Sequence, residues 1–293
     1  MTLLLAVLLF AAATPAIQAQ AGPHVHVAGP VQKQSLVYGP EQRQYLDLFT
    51  KAKAGRAPLI VYLHGGGWSA GSPKAGTGGA QPEFYTSRGF AYAGVGYRYV
   101  PGVTVEQQLA DVARAVAYLR SRPEVDGQRI VLVGHSSGGH LAALLGTDPS
   151  YLASAGVPFE ALKGVVLLDS AAIDIAPFMA IPGGTVDRYY RPAFGNDPAR
   201  WSTLSPLKQT EAPNAPAWAV LYDTNNPIAG LQGGDLVAGL LAAGARDAAA
   251  TPISGTTHMR LNDAIGTPGD MASGLIADFL ARTVLETQRP RLR

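Results

Sequence analysis

The 293-residue chain contains no cysteine, so neither disulfides nor thiol nucleophiles nor thiolate-bound metals can contribute to its fold or chemistry. Charge is also scarce, because charged residues make up 15% of the chain, with 23 Lys and Arg against 21 Asp and Glu. Such a balance lacks the concentrated basic face that a nucleic-acid partner requires. With 47% hydrophobic residues, the chain can bury the core of one large domain.

The first residues, MTLLLAVLLFAAATPAIQAQA, carry no charged side chain. Their apolar run from Leu3 to Ala13 is shorter than the roughly 20 residues that a membrane-spanning helix needs, and small residues follow it. This pattern predicts a signal peptide over residues 1–19, with cleavage after Ala19 or Ala21. We therefore expect a secreted or periplasmic protein without a stable membrane span after processing. An uncleaved membrane anchor is the alternative.

Strand and helix patterns alternate along the rest of the chain. Continuous apolar runs such as LIVYL and IVLVG are typical of strands that are covered on both faces, and segments with helical periodicity separate them. The alternation predicts an α/β fold with a mostly parallel central sheet flanked by helices. The predicted strands are 35–38, 44–49, 59–63, 90–97, 130–134, 165–168 and 218–222, and the predicted helices are 81–88, 105–119, 140–146, 228–243 and 270–285.

No linker or internal repeat divides the chain. We expect an N-terminal arm over residues 20–34, a single α/β domain over residues 35–285, and a flexible tail over residues 286–293. Residues 170–217 are dense in proline, glycine and aromatic side chains, which predicts a small cap inserted into the domain.

The sequence G-H-S-S-G, from Gly134 to Gly138, lies between a predicted strand and a predicted helix. A serine hydroxyl becomes a useful nucleophile only where a tight turn exposes it to a base. The two glycines lack a Cβ and so allow the strand and the helix to approach closely. This arrangement predicts that Ser136 is a catalytic nucleophile. The alternative, a glycine-rich phosphate-binding turn, lacks the nucleotide-binding motifs GxxxxGK[ST] and GxGxxG.

The segment HGGGW, from His64 to Trp68, follows an earlier buried strand. Consecutive glycines can present backbone N–H groups to a developing oxyanion without obstruction by side chains. We expect Gly66, Gly67 and the N–H group of Ser137 to form an oxyanion hole, and His64 to orient the loop by hydrogen bonding.

Together, HGGGW, the following GYR, a long helix, GHSSGG and a late histidine resemble the α/β-hydrolase superfamily. Within it the chain is similar to the esterase and kynurenine-formamidase-like branch near the hormone-sensitive-lipase group. The resemblance covers nearly all of residues 35–285 and includes LDSAAIDI and the SPL that precedes the last predicted strand. It implies acyl-transfer chemistry and leaves the substrate open.

The base is expected in a loop after the last core strand, and His258 is the histidine that lies there. For the acid, the resemblance points to an aspartate beside a proline after the strand WAVLY, but Asn226 occupies that position. We therefore prefer Asp223 as the acid. Asn226, as a neutral orienting residue, and Asp235 are the alternatives.

These residues predict an exported serine hydrolase that cleaves a small carboxylic ester through a Ser-His-Asp acyl-enzyme mechanism. An aryl formamidase using the same site is one alternative. A catalytically silent hydrolase-fold protein that only binds a ligand is another. We expect no metal or organic cofactor, a small-molecule ester as partner, and no nucleic-acid partner. The sequence leaves the oligomeric state open.

Overall fold

The computed structural model describes residues 27–51, 55–170, 172–211 and 213–285. The predicted signal peptide and the predicted tail lie outside these residues. In the described residues, eight strands form one sheet in the order β1-β2-β4-β3-β5-β6-β7-β8. The strands are β1 (Val31–Val37), β2 (Tyr45–Lys51), β3 (Ala57–Leu63), β4 (Ala91–Val95), β5 (Val125–His135), β6 (Leu162–Leu168), β7 (Ala217–Asp223) and β8 (Asp247–Ile253).

The sheet is parallel from β4 to β8, and only the β1–β2 and β2–β4 pairs are antiparallel. The predicted α/β class with a mostly parallel sheet is therefore confirmed. Two details differ from the sequence-based expectations. The first strand already begins at Val31, within the predicted arm, and β8 was not predicted. β8 reads DAAATPI and only Ile253 in it is buried, so it lacks the apolar run that marks the inner strands.

Helices connect the parallel strands. They are α1 (Lys74–Thr77), α2 (Gln81–Thr86), α3 (Val105–Arg120), α4 (Ser137–Thr147), α5 (Pro149–Ser154), α6 (Ala176–Met179), α7 (Arg191–Phe194), α8 (Pro198–Thr203), α9 (Pro227–Ala242), α10 (His258–Asp263) and α11 (Met271–Leu280). The longest helices start at polar caps. At α3 the Thr104 hydroxyl accepts from the Gln107 amide, and the Gln107 side chain accepts from the Thr104 amide.

The core consists of two apolar layers, one on each face of the sheet. Along β3, Leu59, Val61 and Leu63 belong to the layer under α3, α4 and α9, whereas Ile60 and Tyr62 belong to the layer under α2, α10 and α11. Because both faces of β3 are covered, its sequence is apolar without interruption. The carboxyl ends of the parallel strands are thereby held rigidly along one edge of the sheet.

The segment between β6 and β7, predicted as a cap, contains α6, α7 and α8. It also contains a π-helical turn (Val186–Tyr190) and a 3-10 turn (Pro206–Gln209). Among the described residues, no helix has the length and apolarity that crossing a membrane requires.

A buried ion pair ties α3 to the chain that follows β4. The Asp111 carboxylate, which is 2% exposed, accepts from the Arg98 guanidinium at 2.8 Å and from the Gln44 side-chain amide at 2.7 Å. The Arg98 backbone N–H donates to it as well. This network joins α3 to the residues that follow β4 and to Gln44, which directly precedes β2, and it is structural.

Replacing Asp111 by alanine should lower the free energy of unfolding by about 3 kcal/mol, because the Arg98 and Gln44 donors lose their acceptor. Urea denaturation measures this change. The matched control is Asp187→Ala, which removes the exposed partner of Arg191 and should cost no more than about 0.5 kcal/mol. Equal losses in the two variants would contradict the assignment.

Candidate active site

Ser136 occupies a strained turn between β5 and α4. Its backbone angles are φ 55° and ψ −123°, a conformation that residues with side chains rarely adopt. The turn also requires glycine at position 138, where a Cβ would collide with the Leu63 carbonyl oxygen. The Ser136 N–H donates to the Leu168 carbonyl oxygen at 3.0 Å, which ties the turn to the end of β6.

His258 is the first residue of α10 and directs its ring toward the end of β6. Its Nδ1 lies 2.6 Å from Oδ2 of Asp169, the residue that directly follows β6. Because a carboxylate can only accept here, Nδ1 carries the proton and Nε2 keeps its lone pair. The His258 side chain is 45% exposed, so its Nε2 side is open to a ligand, whereas the Asp169 side chain is fully buried.

Asp169 is an ionised acceptor at the centre of this arrangement. Its Oδ1 accepts from the Asp223 backbone N–H at 3.1 Å, and its Oδ2 accepts from the Asn226 side-chain amide at 3.1 Å as well as from His258. Burial by itself raises the pKa of Asp169, but these hydrogen bonds outweigh it and hold the pKa below its usual value. A buried negative charge therefore faces the His258 ring at neutral pH.

The expectation that Asp223 partners His258 is thus corrected by the structure. The Asp223 carboxylate turns away and accepts from the backbone and side-chain N–H groups of Asn225, while only its backbone reaches Asp169. Asp235 lies on an exposed face of α9. Asn226, the other alternative, contacts Asp169 rather than His258. The position after β7 at which the sequence pattern predicts an acid holds a neutral side chain, and this side chain donates to the acid after β6.

The predicted oxyanion loop lies beside Ser136. Gly66 has φ 129° and Gly67 has φ 60°, and a Cβ on Gly66 would collide with the Ala70 carbonyl group. Within the described part of the chain, the amides of these two glycines donate to no other protein group. The Ser137 N–H, at the first position of α4, has no acceptor within the helix. These three amides are available to a ligand oxygen.

The serine, the histidine, the acid and the oxyanion loop all border one cavity of about 740 Å³. In the described residues the Ser136 hydroxyl makes no hydrogen bond, and both it and His258 border this cavity. Hydrogen bonds between catalytic groups often shorten only when substrate is bound. The lining residues are Gly65, Gly66, Gly67, Trp68, Ser69, Ala70, Gly71, Ala75, His135, Ser136, Ser137, Asp169, Thr185, Arg188, Tyr189, Tyr190, Asn226, His258 and Met259.

Two further histidines hold the site together. His135 donates from Nε2 to the His258 carbonyl oxygen at 2.9 Å, so it positions the start of α10. His140, on α4, accepts from the Trp68 indole N–H at 3.2 Å and donates from Nε2 to the Leu204 carbonyl oxygen at 2.8 Å. It therefore links the HGGGW loop and the cap to the helix that follows the serine.

His64 begins the HGGGW loop and donates from Nδ1 to the Gly65 carbonyl oxygen at 2.8 Å. The Tyr97 hydroxyl donates to the His64 carbonyl oxygen at 2.6 Å, and the two rings stack at 4.3 Å. Burial lowers the pKa values of all three histidines, His64, His135 and His140, to about 4. Each is neutral at physiological pH, and none competes with His258 as a base.

The sequence pattern pointed to the strand WAVLY for the acid, whereas the structure places the acid after β6. A signal was present in the sequence. Asp169 ends the apolar run GVVLLD, and a parallel strand that ends in a carboxylate beside the serine strand delivers it to the same sheet edge. Sequence reasoning did not reveal that β6 is the neighbour of β5.

Replacing Asp169 by asparagine should slow covalent labelling of Ser136 by a fluorophosphonate on the order of 10³- to 10⁴-fold. The reason is that the variant loses the charge that stabilises protonated His258 and no longer enforces its tautomer. Asp223→Asn is the matched control and should change the rate by less than about tenfold. Labelling kinetics followed by mass spectrometry give both rates. A larger effect of Asp223→Asn would reinstate Asp223 as the acid.

The double variant Asp169→Asn with Asn226→Asp extends this series. Because the two side chains touch, a carboxylate at position 226 lies next to the original one and should restore labelling about tenfold over Asp169→Asn alone. If labelling does not recover, a carboxylate at position 226 cannot replace Asp169 as the acid that stabilises His258.

The three buried histidines also predict an acid-sensitive fold. Their pKa values are about 4 in the folded protein and near 6.5 when unfolded, so the unfolded chain binds more protons between these values. Stability is complete above pH 6.5 and is lost as the pH falls toward 4. We expect the free energy of unfolding to drop on the order of 3 kcal/mol between pH 7 and pH 5.5. Urea denaturation at both pH values measures it, and equal stability would refute the prediction.

Comparisons with known proteins support the predicted resemblance. The BD-FAE family model matches residues 46–155. Esterase LipC of Mycobacterium tuberculosis is 30% identical over 131 residues, which are 42% of this chain and 32% of that protein. Kynurenine formamidase of Salmo salar is 30% identical over 146 residues, which are 49% of this chain and 47% of that protein. The matches thus span less than half the length of these curated relatives.

Among solved structures, Thermogutta terrifontis esterase 2 in its apo form superposes with a TM-score of 0.67 at 23% identity, covering 88% of this chain and 97% of that chain. At this identity the likeness establishes the fold, and the predicted fold and resemblance are both confirmed. Together with the sheet topology, these matches show that the chain has the α/β-hydrolase fold and that it is similar to esterases with this fold.

Proposed function

We propose that the chain hydrolyses a small carboxylic ester through an acyl-enzyme formed on Ser136. The observation that carries this proposal is the 2.6 Å hydrogen bond between His258 and the buried Asp169, beside a strained serine and free backbone amides in one cavity. An ionised carboxylate, an imidazole with one free nitrogen and an exposed hydroxyl are the components of activated nucleophilic catalysis. The esterases among the relatives are consistent with it.

In the acylation step, the Ser136 oxygen bonds to the ester carbonyl carbon, and its proton passes to Nε2 of His258. The carbonyl oxygen becomes negative and is stabilised by the amides of Gly66, Gly67 and Ser137. The bond to the alcohol oxygen then breaks, and His258 donates its proton to the departing alkoxide. Asp169 stabilises the positive ring during this exchange.

In the deacylation step, water gives a proton to His258 and attacks the acyl carbon. The tetrahedral species forms again in the same set of amides. It collapses to the free acid as the bond between the acyl carbon and the Ser136 oxygen breaks, and His258 returns its proton to that oxygen. Rigid placement of the amides matters because they stabilise charge without reorganising, and losing one such donor typically costs about 10²- to 10³-fold in rate. The Ala70 carbonyl group packs against Gly66 and the Tyr189 ring packs against Gly67, with no room for a Cβ at either position, and these contacts hold the loop in place.

An aryl formamidase remains the second candidate, since a kynurenine formamidase is among the relatives and amide hydrolysis would use the same groups. A missing acid after β7 would favour the third hypothesis, a silent binding protein. Asp169 supplies an acid at another position, which favours catalysis.

Purified protein should cleave 4-nitrophenyl acetate with a higher kcat/KM than N-formylkynurenine, because an activated ester needs less assistance to its leaving group than a formamide does. Steady-state kinetics at pH 7.5 measure both values. Ser136→Ala is the control and should lower kcat by about 10⁵-fold or more. A higher kcat/KM for N-formylkynurenine would make the aryl formamidase the preferred function.

Labelling with a fluorophosphonate separately tests the hypothesis that the protein binds a ligand without catalysing a reaction. A solved structure of the neighbour Thermogutta terrifontis esterase 2 is described as phosphonylated by sarin, so this chemistry is the natural probe. A folded wild-type protein that takes up no label at Ser136 would support a ligand-binding role instead.

Export is part of the same proposal. It rests on residues 1–19 alone, with their uncharged apolar run and the small residues near Ala19 and Ala21. N-terminal sequencing of protein recovered from the periplasm or medium tests it, and an intact N-terminus starting at Met1 would oppose cleavage.

A further inference from the structure

The cap supplies one wall of the catalytic cavity, and that wall is pressed against the oxyanion loop. Thr185, Arg188, Tyr189 and Tyr190 all border the cavity. The Tyr189 ring lies so close to Gly67 that a Cβ there would collide with it. The cap therefore places Arg188, the preceding residue, at the edge of the space where a substrate meets the oxyanion loop.

Arg188 is a cation without an acidic partner in the described part of the chain. Its neighbour Asp187 is engaged by Arg191, with 2.6 Å between Arg191 Nε and Asp187 Oδ1. The guanidinium carbon of Arg188 lies 5.1 Å from the centroid of the Tyr189 ring. This contact with the ring face leaves the N–H donors of the guanidinium group free.

The titratable groups Asp169 and His135, which also border the cavity, are either compensated by hydrogen bonds or neutral. Asp169 is buried and its two oxygens accept from His258, Asn226 and the Asp223 amide, so its charge is compensated. Burial keeps the His135 ring neutral. Among the described residues that line the cavity, Arg188 is thus the exposed charge without an acidic partner, and it attracts negative charge in a ligand.

We propose that Arg188 selects substrates that carry a carboxylate in addition to the scissile ester. This inference rests on the proposed function, because it concerns the same site. A guanidinium presents two parallel N–H donors that match the two oxygens of a carboxylate. A single such group, with no second cation beside it, fits a monoanion. Tyr189 supports the guanidinium and holds the cap against the loop.

The experiment compares pairs of esters that differ in one charge. One pair carries the charge on the acyl side, 4-nitrophenyl hydrogen adipate against 4-nitrophenyl hexanoate. The other carries it on the leaving group, 4-acetoxybenzoate against its methyl ester. For each pair the ratio of kcat/KM values, charged over neutral, is measured in the wild type, in Arg188→Met and in Arg188→Lys. Arg246→Met, which alters an exposed arginine that does not border the cavity, is the matched control.

In at least one pair, Arg188→Met should lower the ratio about fivefold, the size expected of a partly exposed charge pair. Arg188→Lys should retain part of the wild-type ratio, and Arg246→Met should retain all of it. Raising the ionic strength from 0.05 to 0.5 M should reduce the wild-type ratio and leave that of Arg188→Met unchanged, because salt screens the attraction. Ratios that are the same in wild type and Arg188→Met for both pairs would overturn the inference.

The neutral esters carry no carboxylate, so their cleavage tests the proposed function independently of Arg188. If the wild type cleaves no ester, binding still decides the inference. Isothermal titration of Ser136→Ala with 4-acetamidobenzoate and with its methyl ester should show about fivefold tighter binding of the acid. Ser136→Ala with Arg188→Met should lose that difference. Equal affinities in both proteins would overturn the role of Arg188.

Discussion

The pairing of β5 with β6 is the constraint on which the rest of the site depends. It brings the end of one strand, which carries the serine turn, beside the end of the next, which carries Asp169. The hydrogen bond from the Ser136 N–H to the Leu168 oxygen joins these two ends one residue before the carboxylate. Because both strands are covered on both faces, the distance between hydroxyl and carboxylate is set by the sheet and not by a flexible loop.

Hydrogen bonds from neutral histidines extend this rigidity to the surrounding loops. His64 holds the turn of the glycine loop, His140 connects that loop and the cap to α4, and His135 holds the start of α10. Each of these bonds uses one tautomer, and burial disfavours the charged ring. The same burial that shapes the site therefore makes the fold sensitive to acid.

The acid of the site follows β6, and a neutral amide lies where the sequence pattern predicts the acid. The Asn226 amide donates to the carboxylate that follows β6. Both positions are close to His258 because β6 and β7 are adjacent parallel strands whose carboxyl ends meet. The neutral amide compensates the buried charge of Asp169, whereas two carboxylates there would repel each other.

The amino-acid sequence by itself determined the α/β class, the turn at Ser136, the glycine loop and His258, because each depends on residues adjacent in the chain. Backbone freedom at glycine, apolar runs and helical periodicity are local properties. Only the tertiary structure decided that Asp169 rather than Asp223 meets His258, across a separation of 89 residues. It also decided that β8 completes the sheet and that Arg188 borders the cavity. Those contacts follow from strand order and from packing between distant segments, and local preferences do not specify which of several similar carboxylates or cations will arrive at one point.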